Sequence, residues 1–225
     1  MAAMTFQNAT RMMGGVTANV ERRILVWIAP RLPRVVHSDH LTALAVTAMA
    51  LAGAAYWLAA TYVWALWLVN VAVAVNWFGD SLDGTLARVR QQQRPRFGFY
   101  IDHVVDAAGT VFLVGGMALS GYLTPLLALG VIVAYFLLMI EVYLATYCLC
   151  EFRMSVFRVG ATELRLLLML GNAATVLLHP SPDTRAFGID AQLFDFAAIP
   201  IIAGLTLAFI RSTIQHSRSL LALRE

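Results

Sequence analysis

Four aspartates lie in two closely spaced pairs, and their spacing is typical of a metal site. Asp80 and Asp83 are three residues apart and Asp102 and Asp106 are four apart, so each pair lies on one face of a helix. The first pair ends one apolar run and the second begins the next, so we expect a short turn to bring the four carboxylates together. At an effective dielectric constant of about 20, two unit charges about 4 Å apart repel each other by about 4 kcal/mol. The carboxylates therefore need bound cations, and oxygen ligands alone favour Mg²⁺, Mn²⁺ or Ca²⁺ over zinc.

Small residues and an arginine accompany the aspartates. Gly84 and Ala87 lie one turn apart on the carboxylate face of the first helix, and Gly98 lies one turn before Asp102. Without bulky side chains, the phosphates of a ligand can approach the backbone, and the forked guanidinium of Arg88 suits phosphate oxygens. A single aspartate pair at a helix end is usually solvated surface charge. The larger set at fixed spacing instead indicates a metal-dependent site for a diphosphate.

The composition indicates a membrane protein. Hydrophobic residues make up 60% and charged residues 13% of the chain, whereas soluble domains carry about 25% charged residues. We therefore predict an all-α membrane protein with six transmembrane helices in a single domain, residues 1–225. The formal net charge of +3 gives no reason to expect a nucleic-acid partner. Six stretches approach the roughly 20 apolar residues that a bilayer requires, namely 41–60, 62–79, 99–120, 122–148, 162–179 and 195–214.

Arginines are concentrated on one side of the predicted spans. The connections 60–62 and 120–122 carry no basic residue, and the connection 180–194 carries only Arg185. By the positive-inside rule, the arginine-rich side is cytoplasmic, which places both termini and the aspartates there. The arginines of that side are Arg11, Arg22, Arg23, Arg31, Arg34, Arg88, Arg90, Arg94, Arg96, Arg153, Arg158, Arg211, Arg218 and Arg224.

An amphipathic helix is predicted before the first span, over residues 16–29. This pattern is typical of a helix that lies in the membrane interface. We expect Ser38 or Asp39 to cap the first spanning helix. The chain then divides into an interfacial segment, 1–38, and a six-helix bundle, 39–225. The apolar face of the amphipathic helix consists of Val16, Val20, Ile24, Trp27 and Ile28.

The segment from Asp80 to Asp106 resembles the signature of the CDP-alcohol phosphatidyltransferases, D-x2-D-G-x2-A-R-x9-G-x3-D-x3-D, at every defined position. The run from Ser38 to Thr42 is similar to the start of that family's first span. The resemblance implies a six-helix membrane enzyme, often a homodimer, with its active site open to the cytoplasm and the membrane. It also implies that a hydroxyl attacks the phosphorus of a CDP-linked donor, that a phosphodiester forms and that CMP leaves.

The same resemblance implies roles for the signature residues. Asp80, Asp83 and Asp102 would hold two Mg²⁺ or Mn²⁺ ions, with Asp106 shared between metal binding and general-base catalysis. An aspartate beside metal ions is a weak base, so Asp106 would mainly orient the hydroxyl. The residues that would contact the CDP moiety are Gly84, Ala87, Arg88 and Gly98.

Three ionisable residues have roles that the sequence leaves open. His103 directly follows Asp102, which resembles the choline and ethanolamine phosphotransferase branch, and it is either a general base or an interfacial histidine packed between helices. Glu141 lies inside the fourth predicted span, where it either lines an acceptor pocket or bonds to a neighbouring helix, with Asn76 as one possible partner. Arg165 begins the fifth span, either as a phosphate contact or as a topology anchor.

Two other functions are compatible with parts of this sequence. A prenyltransferase also uses aspartates at the cytoplasmic face, but in two separated motifs on a longer bundle. A membrane cation transporter would distribute its ionisable residues through the bilayer and often contains an inverted repeat. Within the favoured class, the donor is either CDP-diacylglycerol, attacked by a small alcohol, or a CDP-amino alcohol, attacked by a lipid hydroxyl.

Overall fold

Long helices account for most of the described chain. The computed structural model describes residues 18–149, 161–178, 183–186, 189–192 and 194–222. A hairpin of two antiparallel strands, β1 (Asp183–Ala186) and β2 (Ile189–Gln192), separates the last two helices. The helices are α1 (Ala18–Ile28), α2 (Ser38–Ala59), α3 (Ala65–Val89), α4 (Pro95–Leu119), α5 (Pro125–Leu149), α6 (Ala161–Leu178) and α7 (Asp195–Ala222).

Five of these helices, α2, α3, α4, α5 and α7, are long and apolar enough to cross a membrane. The chain is therefore an integral, multi-pass membrane protein, as its composition predicts. The fifth predicted span, 162–179, corresponds to α6, which is helical over 18 residues but is not one of the five. The count of six spans thus stays a prediction. The spanning part is all-α as predicted, whereas the hairpin in the connection 180–194 was not expected.

Small residues let α2 pack closely against α3 and α4. A Cβ atom on Gly53 would lie 2.2 Å from the Phe112 carbonyl oxygen, and one on Gly116 would lie 2.3 Å from the Gly53 carbonyl oxygen. Between α2 and α3, a Cβ atom on Gly79 would lie 2.6 Å from the Leu41 carbonyl oxygen. Such close backbone approaches are typical of membrane helix pairs. They fix α3 and α4, which carry the aspartates, on either side of α2.

A buried chain of polar side chains ties α6 to α2 and α3. The Tyr56 hydroxyl donates to Asn172 Oδ1 at 2.8 Å, and Asn172 Nδ2 donates to Asn70 Oδ1 at 2.9 Å. Asn70 Nδ2 in turn donates to the Met169 carbonyl at 3.0 Å. Each amide in this chain has a partner for both of its groups, which is what an apolar bundle requires of a buried polar residue.

The bundle has two structurally different ends. The carboxylate end is the one at which α3 ends and α4 begins, and the hairpin end is the one that carries β1 and β2. At the hairpin end, the buried Asp195 carboxylate accepts hydrogen bonds from the Thr124 N–H (2.8 Å), the Thr124 hydroxyl (2.6 Å) and the Gln192 N–H (2.8 Å). These bonds hold the start of α7 against the loop before α5.

At the carboxylate end, α1 and the 3-10 turn that follows it lie against α3. Leu25 and Ala29 are buried in one apolar cluster with Leu82 and Leu86 of α3. Trp27, on the predicted apolar face, is exposed on the opposite side. A helix is therefore present within the predicted segment, and its location in the membrane interface stays a prediction.

Candidate active site

A tight turn joins the two helices that carry the aspartates. The Gln92 N–H donates to the Ala87 carbonyl at 2.9 Å and the Gln91 N–H donates to the Arg88 carbonyl at 3.2 Å, which is the Schellman pattern of a helix C-terminus. Gln91 takes the left-handed position with φ of 56°. Pro95 then occupies the first turn of α4, where a missing N–H removes no helical hydrogen bond. This turn makes α3 and α4 antiparallel and brings both aspartate pairs to the carboxylate end, as predicted.

The predicted second span ended at residue 79, but α3 continues through the signature to Val89. The contacts of α1 with this last part of α3 support the helix beyond its most apolar stretch. Asp80, Asp83 and Arg88 are therefore all helical, with their relative orientation set by the α-helical repeat.

Asp83 is anchored to the start of α2. Thr42 Oγ1 donates to Asp83 Oδ2 at 2.6 Å, the Gly84 N–H donates to Asp83 Oδ1, and Ser38 Oγ donates to the Asp83 carbonyl at 2.9 Å. The expectation that Ser38 or Asp39 caps α2 was wrong, because the N-cap is His37 and the Ser38 hydroxyl donates to the Asp83 carbonyl of α3 instead. Thr42 is thus a site residue whose role the sequence did not reveal.

Asp80 is paired with an arginine of α6. Arg165 Nη2 lies 2.7 Å from Asp80 Oδ2, and both side chains are largely shielded from solvent, at 19% and 25% exposure respectively. A half-buried, charge-assisted contact of this kind is stronger than an exposed ion pair. Arg165 therefore lies at the aspartate cluster, and α6 contributes to the site alongside α3 and α4.

The aspartates are close enough to act on one another. The charges of Asp80 and Asp102 both act on the Asp83 carboxylate. From α5, the Tyr135 hydroxyl lies in the field of Asp80, Asp102 and Asp106. The electrostatic conflict expected from the sequence is therefore present, although part of it is offset by Arg165.

The chemistry of the donor set fits a hard divalent cation, since it consists of carboxylate oxygens from α3 and α4. Within the part of the chain that the structure describes, no group of three or more Asp, Glu, His or Cys side chains is gathered so as to hold an ion as it stands. Asp80 is turned to Arg165 and Asp83 to Thr42. Metal binding therefore requires the carboxylates to reorient, and their role as ligands stays a prediction.

Tyr135 of α5 lies beside the part of α4 that carries Asp106. Thr110 Oγ1 donates to the Asp106 carbonyl at 2.9 Å, and the Tyr135 hydroxyl lies near the Thr110 side chain. Tyr135 was not a predicted site residue, since an isolated tyrosine in an apolar span carries no spacing signal.

His103 lies on α4, directly after Asp102, and its ring packs against α5. The side chain is buried, its ring centroid lies 4.3 Å from that of Phe99 and 5.0 Å from that of Tyr143, and Nδ1 lies 2.6 Å from the Phe99 carbonyl oxygen. A carbonyl oxygen can only accept, so Nδ1 carries a proton in this contact. In the neutral imidazole Nε2 is then the nitrogen able to accept a proton. The structure thus accommodates both the packing role and the predicted role as a base.

The signature glycines have space beside them, unlike the glycines that pack α2. Among the residues that the structure describes, a Cβ atom on Gly98 would meet nothing within 4 Å, and one on Gly84 would meet only Arg88 Nη1 at 3.6 Å. Glycine weakens a helix by about 0.5–1 kcal/mol relative to alanine. Packing among the described residues therefore does not explain these two glycines, whereas the predicted approach of a phosphate to the backbone would. Ala87 and Arg88 lie on the same stretch of α3, with Arg88 exposed and its Nη2 3.0 Å from the Thr85 hydroxyl.

Gly98→Ala is expected to preserve or slightly raise the free energy of unfolding while raising the KM for the ligand about tenfold to a hundredfold. One extra carbon in a binding site costs about 1–3 kcal/mol, and the helix itself gains from alanine. The matched control is Gly115→Ala on the same helix, where a Cβ atom also meets nothing within 4 Å. Steady-state kinetics and thermal unfolding measure both effects. Equal KM values in the two variants would contradict a ligand at Gly98.

Glu141 is bonded to α7. Its Oε1 lies 2.6 Å from His216 Nδ1 and its Oε2 accepts from the Ser212 hydroxyl at 2.6 Å. The suggested partner Asn76 instead donates to the Ala45 carbonyl at 3.1 Å. The structure thus contains bonds from Glu141 to a neighbouring helix, which was the second of the two possibilities that the sequence left open.

A sequence model described as CDP-alcohol phosphatidyltransferase matches residues 36–210 of the chain. The matched range contains the four aspartates and extends from the start of α2 into α7. No match was found among curated proteins.

Proposed function

Because the chain belongs to the CDP-alcohol phosphatidyltransferase family, we propose that it joins a CDP-linked donor to a hydroxyl acceptor with the aspartates of α3 and α4 as its metal ligands. Members of this family transfer substituted phosphate groups in phospholipid synthesis, so the chain is a membrane-bound transferase. The observation that carries the proposal for the site is that Asp80 and Asp102, from the two helices joined by the α3–α4 turn, are near enough for their charges to act on Asp83, beside two glycines that packing among the described residues does not explain.

The proposed ligands are Asp80, Asp83, Asp102 and Asp106, which would hold two divalent cations, Mg²⁺ or Mn²⁺. When bound, such ions neutralise the diphosphate and the charge that develops on the departing CMP. Arg165 balances the Asp80 charge from α6, and the Thr42 hydroxyl donates to the Asp83 carboxylate from α2.

The proposed donor site lies along the open side of α3 and α4. Gly84 and Gly98 admit the phosphates to the helix backbones, Ala87 extends that small-residue surface, and Arg88 donates to phosphate oxygens. The acceptor oxygen attacks the phosphorus that stays with the donor alcohol, the bond from that phosphorus to the CMP phosphate oxygen breaks, and CMP leaves.

The acceptor proton goes to Asp106 or to His103. The Phe99 carbonyl holds the proton on His103 Nδ1, which leaves Nε2 as the proton acceptor. Asp106 orients the hydroxyl, and the Tyr135 hydroxyl of α5 lies in the field of Asp106. The variant His103→Gln distinguishes these two bases. If His103 is the base in the rate-limiting step, its loss lowers kcat by about a hundredfold or more.

The proposed topology has six spans in one domain, with both termini and the aspartates in the cytoplasm, an interfacial α1 and a homodimer. Its support is the distribution of arginines along the sequence and the exposed apolar side of α1. Single-cysteine variants that carry Gln92→Cys or Tyr62→Cys are treated with a membrane-impermeant reagent, which tests the side of the membrane on which each connection lies. The mass of the detergent-solubilised protein tests the dimer.

The experiment that tests the reaction measures CMP release by the purified protein in detergent. CDP-diacylglycerol and CDP-amino alcohols are each paired with small polar alcohols and with diacylglycerol, in Mg²⁺, Mn²⁺ or EDTA. CMP release that requires both a metal ion and one acceptor supports the proposal and identifies which substrate carries the lipid. Cation flux in liposomes without CMP release from any pair would favour a transporter instead.

A further inference from the structure

Glu21 of α1 bonds to both of the helices that position Asp80. Its Oε1 accepts from Trp77 Nε1 at 3.0 Å and from the Ser81 hydroxyl at 2.7 Å, and its Oε2 accepts from the Thr162 hydroxyl at 3.0 Å. Both oxygens of this half-buried carboxylate are therefore used, one toward α3 and the other toward α6. Hydrogen bonds to a charged acceptor are about twice as strong as neutral ones.

The α3 contacts of Glu21 lie next to the signature. Trp77 and Ser81 are four residues apart, so they lie on one face of α3, and Ser81 directly follows Asp80. A shift of Ser81 therefore moves the backbone of Asp80 with it. Leu25, one turn further along α1, is buried against Leu82 and keeps α1 in register with this part of α3.

The α6 contact of Glu21 lies one turn before the arginine that binds Asp80. Thr162 and Arg165 are three residues apart on α6, and Arg165 lies 2.7 Å from Asp80. The Glu21 carboxylate and the Asp80–Arg165 pair thus form two adjacent links between α3 and α6. One link orders the helices and the other holds the aspartate itself.

We propose that Glu21 is a positioning residue that sets the spacing of α3 and α6 and thereby the orientation of Asp80 for metal binding. The inference rests on the proposed function, because it assigns Glu21 a task toward the metal ligands. It makes α1 a part of the active-site framework in addition to a membrane-surface helix. Outer partners of metal ligands contribute about tenfold to a hundredfold in metal affinity or activity.

The test compares Mn²⁺ binding and turnover in full-length variants. Free Mn²⁺ is measured by electron paramagnetic resonance without donor or acceptor, and kcat is measured separately by CMP release. Glu21→Ala is expected to raise the Mn²⁺ dissociation constant about tenfold and to lower kcat. Glu21→Gln is expected to stay within about threefold of the unaltered protein, since its carbonyl accepts from Ser81 and its NH₂ group donates to the Thr162 oxygen.

Thr162→Val removes the α6 contact alone and is expected to give an intermediate loss of Mn²⁺ affinity. It also decides the question if Glu21→Ala does not fold. The matched controls are Asp195→Ala and Thr124→Val. They remove hydrogen bonds of a carboxylate at the hairpin end that, like Glu21, accepts three of them. They are expected to lower the unfolding temperature without changing the Mn²⁺ dissociation constant.

Unchanged Mn²⁺ affinity in folded Glu21→Ala and Thr162→Val would overturn the positioning role. So would an equal loss of affinity in the hairpin-end controls, since the effect would then follow general stability. An unaltered protein that neither binds Mn²⁺ nor releases CMP would instead overturn the proposed function itself. If the unaltered protein binds Mn²⁺ and releases CMP and the Glu21 variants do so equally well, only the inference about Glu21 is overturned.

Discussion

Asp83→Asn is expected to lower CMP release at least about a thousandfold while leaving the protein folded. A metal ligand that loses its charge forfeits several kcal/mol of transition-state stabilisation. A loss of about 4 kcal/mol corresponds to about a thousandfold in rate. The charges of Asp80 and Asp102 both act on Asp83, so a bound cation would relieve repulsion at this position.

The fold should tolerate this change because asparagine can keep the local hydrogen bonds. The Asn oxygen can accept from the Gly84 N–H, and the NH₂ group can donate to Thr42 Oγ1, whose proton then goes to the Ser38 carbonyl already 3.2 Å away. CMP release and thermal unfolding are measured together. The matched control, Asp195→Asn, makes the same substitution in a carboxylate with three donors at the hairpin end. It should lower stability but leave CMP release per folded molecule unchanged.

Full activity in folded Asp83→Asn would contradict the assignment of Asp83 as a metal ligand. Equal loss in Asp195→Asn would show that the assay reports folding instead of chemistry. Residual activity that rises with Mn²⁺ concentration would support the assignment, because a weakened site is filled by mass action.

The reaction class could be predicted from the resemblance of residues 80–106 to a family signature, and the helices that carry the chemistry could be predicted from local spacing. Aspartate pairs at three and four residues need only the helical repeat to share a face. The turn between α3 and α4 is short enough that no other arrangement brings the chain back through the membrane. Apolar runs of sufficient length likewise predict spans without knowledge of their neighbours.

The partners of the site residues could not be predicted, because they come from distant parts of the chain. Thr42 and Asp83 are 41 positions apart, Arg165 and Asp80 are 85 apart, and Thr162 and Glu21 are 141 apart. Their contacts depend on which helices are neighbours and how they are rotated. A hydropathy pattern fixes neither of these, since lipid is as apolar as the protein interior.

The packing role of three other glycines also required the structure. Gly53, Gly79 and Gly116 lie where helix backbones nearly touch, while Gly84 and Gly98 have open space beside them among the described residues. The sequence distinguishes Gly84 and Gly98 by their spacing from the aspartates. It gives no sign that the other three lie between helices, because that depends on which helices are neighbours.

The contacts of Glu141 join α5 to α7. Its side chain and that of His216 are only 10% and 13% exposed, and each carboxylate oxygen has a donor from α7 at 2.6 Å. Breaking a buried charged pair by removing one partner typically costs about 3–5 kcal/mol. Hydrogen bonds between membrane helices are worth less, about 0.6–2 kcal/mol, because the unfolded state in the membrane finds other partners.

Glu141→Leu is therefore expected to lower the free energy of unfolding by about 2–4 kcal/mol, between these two ranges. The leucine removes both acceptors and leaves the donors of Ser212 and His216 buried without them. His216→Leu in the same chain removes one of the stranded donors, so the double variant is expected to recover much of the loss. Unfolding in a detergent titration measures the single and double variants and yields their coupling energy.

The same variants decide between the two roles that the sequence left open for Glu141. If the residue serves only to join α5 and α7, the KM for the acceptor stays within about threefold of the unaltered value once the rates are corrected for folded protein. A tenfold rise in acceptor KM corresponds to about 1.4 kcal/mol of lost binding, and with no loss of stability it would place Glu141 in the acceptor pocket. The double variant separates these cases further, because it should restore stability but cannot restore a lost acceptor contact.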